Sequence, residues 1–302
     1  MKTLVVLTGP TGVGKTALSL RLAEALGSPI LSCDSRQIFR EMFIGTAAPT
    51  TDQLKSVQHY FIASKSIHEP YSAAKFEMDA LYLLDSLFLS HETVLMTGGS
   101  MMYIDAVCKG IDDMPDVDPV IRRELSDLYH EKGLDPILEE LQLLDPAYFE
   151  QVDRKNPKRI IHGLEICRMT GLPFSSFRKD TAKKRSFCIL KICLNRDRQE
   201  LYDRIDCRVD EMMLLGLEKE ARGLYPYRTL NALNTVGYKE MFDYFDGNLS
   251  LEQAVINLKF NTHKYARKQL TWFRRDPDYH WFHPEESELL QKILHFLYFF
   301  KI

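Results

Sequence analysis

No apolar run in the sequence approaches the ~20 residues that a membrane-spanning helix requires, so no membrane partner is expected. The six cysteines, at 33, 108, 167, 188, 193 and 207, contain no C-x-x-C pair and sit mostly inside apolar runs. That argues against a zinc module and for buried free thiols in a reducing compartment. Nor does the start resemble a secretory leader. Met1-Lys2-Thr3 runs at once into a short β-rich stretch ending at Gly9-Pro10, without a long apolar region or a small-residue cleavage site. These absences predict a cytoplasmic protein. Internal repeats and low-complexity segments are also missing, and a net charge of −3 gives no hint of a polyanion partner.

What is present begins with mass for a core: 302 residues, 45% hydrophobic and 27% charged, the balance of a globular chain of one or two domains. The small net charge conceals a partition. Residues 154–191 hold eleven Lys or Arg against Glu165 and Asp180, a local +9, and residues 253–275 hold six with no acid, a local +6. The remainder therefore carries −18. Two basic tracts on an acidic body form an electrostatic footprint, although a basic run taken alone also suits a solvated face.

The first hundred residues alternate buried-strand runs with helical spacing. Leu4-Val5-Val6-Leu7, Ile30-Leu31-Ser32-Cys33 and Thr93-Val94-Leu95-Met96 read as strands, and Lys15 to Leu26 reads as a helix. Such alternation predicts an α/β fold, a P-loop NTPase-like parallel sheet flanked by helices. Between 112 and 186 the strand signal vanishes, and Pro119, Asp135-Pro136 and Asn156-Pro157 each open a helical stretch. The expected domains are thus a core over 1–111, an all-helical insertion over 112–186 ending in a polar, mobile Ser175–Ser186, and a second core part over 187–302. That part holds a long basic helix from Ser250, capped in a box with Gln253, and an apolar tail, Phe296 to Phe300, packed on the body.

Gly9-Pro10-Thr11-Gly12-Val13-Gly14-Lys15-Thr16 fits G-x-x-x-x-G-K-[ST] between a predicted strand and a predicted helix. Glycines let backbone N–H groups turn inward around an anion at a helix N-terminus. Lys15 would neutralise terminal phosphates, and the Thr16 hydroxyl would hold Mg2+. The motif indicates a polyphosphate, ATP among the candidates, without saying which. Asp34 follows the second strand, where an open sheet places its ligands; it could bind magnesium, take a proton or cap the next helix. Thr97-Gly98-Gly99-Ser100 ends a further strand and suits phosphate or a plain turn.

Together these motifs resemble the bacterial tRNA dimethylallyltransferase family. The likeness runs through Gly9–Thr16, Asp34-Ser35-Arg36-Gln37, Ile44-Gly45-Thr46-Ala47, Tyr71-Ser72-Ala73-Ala74 and Gly98 to Tyr103. It continues in Asn156-Pro157-Lys158-Arg159, Val236-Gly237-Tyr238-Lys239-Glu240 and Tyr265 to Arg274. The resemblance implies transfer of a dimethylallyl group from dimethylallyl diphosphate, held by the loop with magnesium, to the exocyclic N6 amine of the adenine 3′ to the anticodon. It implies Asp34 as general base, Ser100 where threonine is usual, and Arg208 on the leaving diphosphate, with Arg204 as an alternative. It further implies that the tRNA anticodon stem-loop meets Asp34, Ser35, Arg36, Gln37, Ser100, Arg122, Lys158, Arg159, Gly237, Tyr238, Lys239, Lys264, Arg267, Lys268 and Arg274. His59 falls where the family often has histidine, a position equally suited to a structural role.

The sequence departs from the family at Ala48, where lysine is usual, at Phe39, where tyrosine is common, and at His162, where a second arginine is frequent. Rival expectations are an isopentenyltransferase acting on free adenine nucleotides, a P-loop small-molecule kinase, and a non-catalytic RNA-binding protein. The default assembly is a monomer.

Overall fold

Thr3–Thr8 forms strand β1, and all six of its residues are buried. A strand covered on both faces has no solvent side, which is why it reads as an unbroken apolar run. The computed structural model describes residues 1–115, 117–179 and 181–300; Asp116, Asp180, Lys301 and Ile302, which the expected domains and charge count include, lie outside the described residues. Five further strands accompany β1 among them: β2 (Ile30–Ser32), β3 (His59–Tyr60), β4 (Thr93–Thr97), β5 (Cys188–Leu194) and β6 (Tyr279–Phe282). They form one sheet in the order β3-β2-β4-β1-β5-β6, every pair parallel. The chain leaves β1 through helix Lys15–Leu26 and re-enters at β2, two positions away, and β4 later fills the gap between them. Thr3 pairs with both Thr93 and Cys188, so β1, β4 and β5 end side by side. The loops that follow them therefore emerge together.

Alternate residues of β1 feed two cores. Leu4 and Val6 pack with Phe76, Met96 and Phe273, while Val5 and Leu7 pack with Leu22, Ile192 and Ile205. β3 and β6 escaped the sequence reading because one has two residues and the other is an edge strand with only Tyr279 buried. Helix Leu251–Phe273 matches its expected span, but its capping box is half made. Ser250 accepts from the Gln253 N–H, whereas the Gln253 amide turns to Asn257. The tail is helix Leu289–Phe300, with Leu297 buried on the core and Tyr298, Phe299 and Phe300 exposed.

Residues Lys109–Lys183 form a second compact unit, displaced three residues at each end from the expected 112–186. Pro119, Pro136, Pro146 and Pro157 each sit at the first turn of a helix, where the missing N–H has no cost. These helices enclose Leu125, Ile137, Leu141, Tyr148, Ile160 and Leu164. The Ser175–Ser186 stretch begins in a short helix, Phe174–Phe177, with the Ser175 N–H and hydroxyl bonded to buried Asp145.

Part of the first basic tract is core. Arg185 is inserted between helices, donating to the Glu77 carboxylate at 2.7 Å and to the Val107 and Ala106 carbonyls. Lys191, on β5, is buried with its ammonium 2.8 Å from Asp276. A +9 count therefore overstates the charge this tract offers an external polyanion. Asp276→Ala removes the nearest carboxylate from a buried ammonium and is expected to cost about 3–5 kcal/mol. The check is a lowered urea midpoint with an unchanged m-value.

Candidate active site

Gly9, with φ 148°, opens the phosphate loop because nothing larger fits: a Cβ there would stand 2.6 Å from the Leu194 carbonyl oxygen at the end of β5. Gly12 is pressed likewise against Ile205. Gly14, at φ 107°, starts helix Lys15–Leu26 in the left-handed region. Lys15 Nζ donates to the Gly9 and Pro10 carbonyls at 2.8 and 2.9 Å, folding the ammonium back over the loop. Burial, then the neighbouring Arg208, lowers the Lys15 pKa to about 8 against the pull of Asp34. Not every loop N–H points at a ligand: Thr11 donates to Gln269 and Val13 to the Pro10 carbonyl. The Val13 side chain is buried in the core, and Thr16 is exposed at the mouth.

Asp34 leaves the end of β2 into a turn and not a helix. Its Oδ1 accepts the N–H groups of Arg36 and Gln37 at 2.8 and 3.2 Å, so the cap reading applies to one of its two oxygens. Ser100 Oγ accepts the Ser35 N–H at 2.8 Å and donates to Ser35 Oγ, fixing that turn from the β4 loop. Gly98 permits this approach, since a Cβ would meet Cys33 backbone atoms at 2.7 Å. Gln37 donates to the Thr46 and Ala47 carbonyls, and Arg36 to those of Asn231 and Ala232.

Helix Arg198–Leu214 carries both candidate arginines. Arg208 Nη2 donates to Thr11 Oγ1 at 2.5 Å, while its Nε is buried without a hydrogen-bond partner. Burial lowers its pKa despite Asp34. Arg204 donates to the Gly12 carbonyl from a more exposed place. A cleft of about 700 Å³ is lined by Lys15, Thr16, His59, Arg204 and Arg208. A second, of about 460 Å³, is lined by Ser35, Arg36, Ser100, Lys239 and Tyr265. Thr11, Asp34, Thr46 and Arg208 line both. Arg208, unlike Arg204, stands at their junction. His59 faces the first cleft with Nδ1 against the Val57 carbonyl, and burial lowers its pKa.

Several expected contacts lie elsewhere. Tyr238 is a correction: it is fully buried, bonded to Glu220 and pressed on Gly45, so its ring offers nothing to an RNA. Gly237 serves as a helix cap through its N–H to Glu240. Arg122 is held in a two-point pair by buried Glu165, which His162 also meets. Lys158 and Arg159 are exposed on the helical unit, Lys264 and Lys268 are exposed on helix Leu251–Phe273, and Arg274 is exposed as its C-cap. Arg267 donates to Tyr202 and, with Arg274, lines a separate cleft of about 370 Å³. Phe273 is core, and Trp272 donates to Asp105.

Two site residues were not singled out from the sequence. Gln269 accepts from Thr11 N and donates to the Gly99 carbonyl, joining the phosphate loop to the β4 loop. Tyr265 lines the second cleft, its pKa raised first by burial and then by Asp34. Their signal lay inside the Tyr265–Arg274 motif, where the basic residues drew the attention.

A phosphate loop and a second cleft sharing one carboxylate and one buried arginine define a P-loop group-transfer protein. The profile described as IPP transferase matches residues 37–276, and the chain belongs to that family. It is 58% identical over 290 residues to tRNA dimethylallyltransferase 2 of Parabacteroides distasonis, covering 96% of this chain and 97% of that one. It is 61% identical over 286 residues to tRNA dimethylallyltransferase 1 of Porphyromonas gingivalis, covering 95% of each. Among solved structures it is similar to a tRNA isopentenylpyrophosphate transferase from Bacillus halodurans, with TM-score 0.72, 33% identity and coverage of 100% and 96%. A eukaryotic dimethylallyltransferase acting on tRNA shares the fold, with TM-score 0.84 at 23% identity over 99% of this chain and 79% of that one.

Inorganic pyrophosphate tests the first cleft. With Lys15 titrating near 8, affinity should fall as pH rises through 8, and binding at pH 9 should take up a proton that Lys15→Met does not. Calorimetry in buffers of different ionisation enthalpy measures both. Because the folded pKa lies below the unfolded 10.5, Lys15 costs the free protein stability below pH 8, a cost relieved as pH rises from 8 toward 10.5. Arg208→Ala should weaken pyrophosphate by about 1.5–3 kcal/mol, a charged hydrogen bond's worth, and by more than Arg204→Ala.

Proposed function

We propose that the chain is a tRNA-modifying prenyltransferase. It moves the dimethylallyl group of dimethylallyl diphosphate to the exocyclic N6 amine of the adenine 3′-adjacent to the anticodon, position 37, and releases diphosphate. The observation that carries this reading is the meeting of the two clefts at Thr11, Asp34, Thr46 and Arg208. A donor whose diphosphate lies against Lys15 and an acceptor base entering beside Lys239 and Tyr265 come together at one carboxylate.

An aromatic amine is a weak nucleophile, so the gain comes from positioning it and from dispersing leaving-group charge. As nitrogen attacks the allylic carbon, the carbon–oxygen bond to diphosphate breaks and Asp34 takes the amine proton. One Asp34 oxygen is fixed by Arg36 and Gln37, which aims the other. Arg208, whose Nε lacks a protein acceptor, and Lys15 meet the departing oxygens. Ser100 holds the Asp34 turn through Ser35.

Among the described residues no cluster of three His, Cys, Asp or Glu could hold a metal. The exposed Thr16 hydroxyl in the first cleft instead fits magnesium, which is commonly bound by one or two protein oxygens plus substrate phosphates. Bound there, magnesium would offset diphosphate charge. The target base must leave its stacked loop to enter, and the exposed Lys158, Arg159, Lys264 and Lys268 suit the phosphates of an anticodon stem-loop. Free adenine nucleotides would need none of these. No described helix is long and apolar enough to cross a membrane, and the six cysteines are free; both favour the cytoplasm. A monomer suffices, since one chain supplies both clefts.

The test supplies labelled dimethylallyl diphosphate and magnesium with an anticodon stem-loop, AMP or ATP. Label is expected in the stem-loop; label in AMP alone overturns the reading. Asp34→Ala should leave stem-loop binding intact and lower turnover ~10²–10⁴-fold, whereas equal loss of both would make Asp34 structural.

A further inference from the structure

Glu220 touches neither cleft, yet it ends in a densely used carboxylate. From helix Leu217–Leu224 its Oε2 accepts the N–H groups of Phe43 and Ile44 at 3.0 and 2.7 Å. Its Oε1 accepts the Gly45 N–H at 2.9 Å and the Tyr238 hydroxyl at 2.7 Å. Three consecutive N–H groups converging on one carboxylate form an anion-binding nest. No Lys, Arg or His forms an ion pair with Glu220 among the described residues. Its charge is met entirely by neutral donors.

The gripped segment walls the chemistry. Gly45 lines the second cleft, Ala47 the first and Thr46 both. The Thr46 and Ala47 carbonyls accept the Gln37 amide, and the Gln37 N–H binds Asp34 Oδ1. Ala47 is held at φ 49°, and Gly45 lies so near the Tyr238 ring that a Cβ would stand 2.6 Å from it. A continuous path of hydrogen bonds thus runs from Glu220 to the carboxylate between the clefts.

We propose that Glu220 is a positioning residue for the transfer reaction, its carboxylate clamping the 43–45 N–H nest and so setting Thr46, Gln37 and Asp34 in register. The proposal rests on the prenyl-transfer reading for its kinetic consequence and on geometry alone for the clamp. The donor diphosphate is held by the phosphate loop, which Glu220 does not touch. Displacement of the wall therefore appears chiefly in kcat, with only a small change in donor KM.

The experiment uses the full chain with Glu220→Ala and Glu220→Gln, the first emptying the nest and the second keeping one acceptor oxygen. For folded Glu220→Ala, kcat should fall ~10–10²-fold, the scale of a small misplacement, with donor KM within about threefold. Amide exchange across 43–45 should quicken as protection is lost. Sodium formate, a small carboxylate that fits the emptied nest, should restore both kcat and exchange protection where chloride at equal ionic strength does not. Wild type with formate is the control for competition at the phosphate loop. Should Glu220→Ala fail to fold, Glu220→Gln is read instead, with a smaller loss of kcat and partly quickened exchange. Unchanged kcat and exchange in a folded variant overturn the proposal, as does a loss in Glu220→Ala that formate cannot restore. Absence of transfer by the wild type defeats the functional reading alone, and the exchange measurement then decides the clamp.

Discussion

Lys15 and Arg208 are both cations, both desolvated, and each lowers or loses charge stabilisation in a cleft where Asp34 is the attracting carboxylate. Holding like charges in that way costs the free protein stability. Beside Asp34, neutral oxygens meet the cost: the Gly9 and Pro10 carbonyls take the ammonium, and the Thr11 hydroxyl takes one arm of the guanidinium. What remains unsatisfied, chiefly Arg208 Nε, is a standing preference for an anion with several oxygens. Preorganised positive charge of this kind stabilises an anion without reorganising as that anion forms.

That arrangement depends on backbones approaching more closely than side chains allow. The in-register ends of β1, β4 and β5 bring three loops together, and Gly9 and Gly98 let two of them touch neighbouring main chain. Gln269 then joins the first loop to the second through one amide group. Ser100 joins the β4 loop to the Asp34 turn, and Glu220 fixes the wall opposite. Hydrogen bonds among polar side chains thus decide where the groups lining the clefts point, as supporting groups do around other preorganised sites.

Legibility in the sequence followed locality. The phosphate loop, the central strands and the proline-opened helices were readable because each is dictated by residues within one turn or one strand. Asp34 stands out by its place after the second strand and Arg208 through resemblance, and their being neighbours appears only once β2 and helix Arg198–Leu214 are placed. β3 and β6 were missed for want of length or burial. Tyr238 was assigned to the RNA through the family motif that contains it, and only its contacts with Gly45 and Glu220 show it to be core. Gln269 and Glu220 carry no pattern of their own; their function is a contact across 258 and about 175 residues of chain respectively.

The charge partition shows the same limit from the other side. Counting put +9 between 154 and 191, but a count cannot tell a solvated cation from a buried one. Arg185 and Lys191 are matched by carboxylates inside the core, and Arg168 is held by Glu140 on the helical unit. The cations that stay exposed are fewer than the count: Lys155, Lys158, Arg159, Arg178 and Lys179 among those on the helical unit, and Lys264, Lys268, Arg274 and Arg275 along and just after the long helix of the other. Coulombic attraction to phosphate is screened within about 8–10 Å, so these exposed groups, and not the tract totals, determine how strongly a nucleic acid is drawn in. The long helix serves both ends. Its outer residues offer positive charge to solvent, while Gln269 on its buried side holds the phosphate loop. One element therefore couples an exposed basic surface to the Gly9–Thr16 loop through ordinary helical geometry.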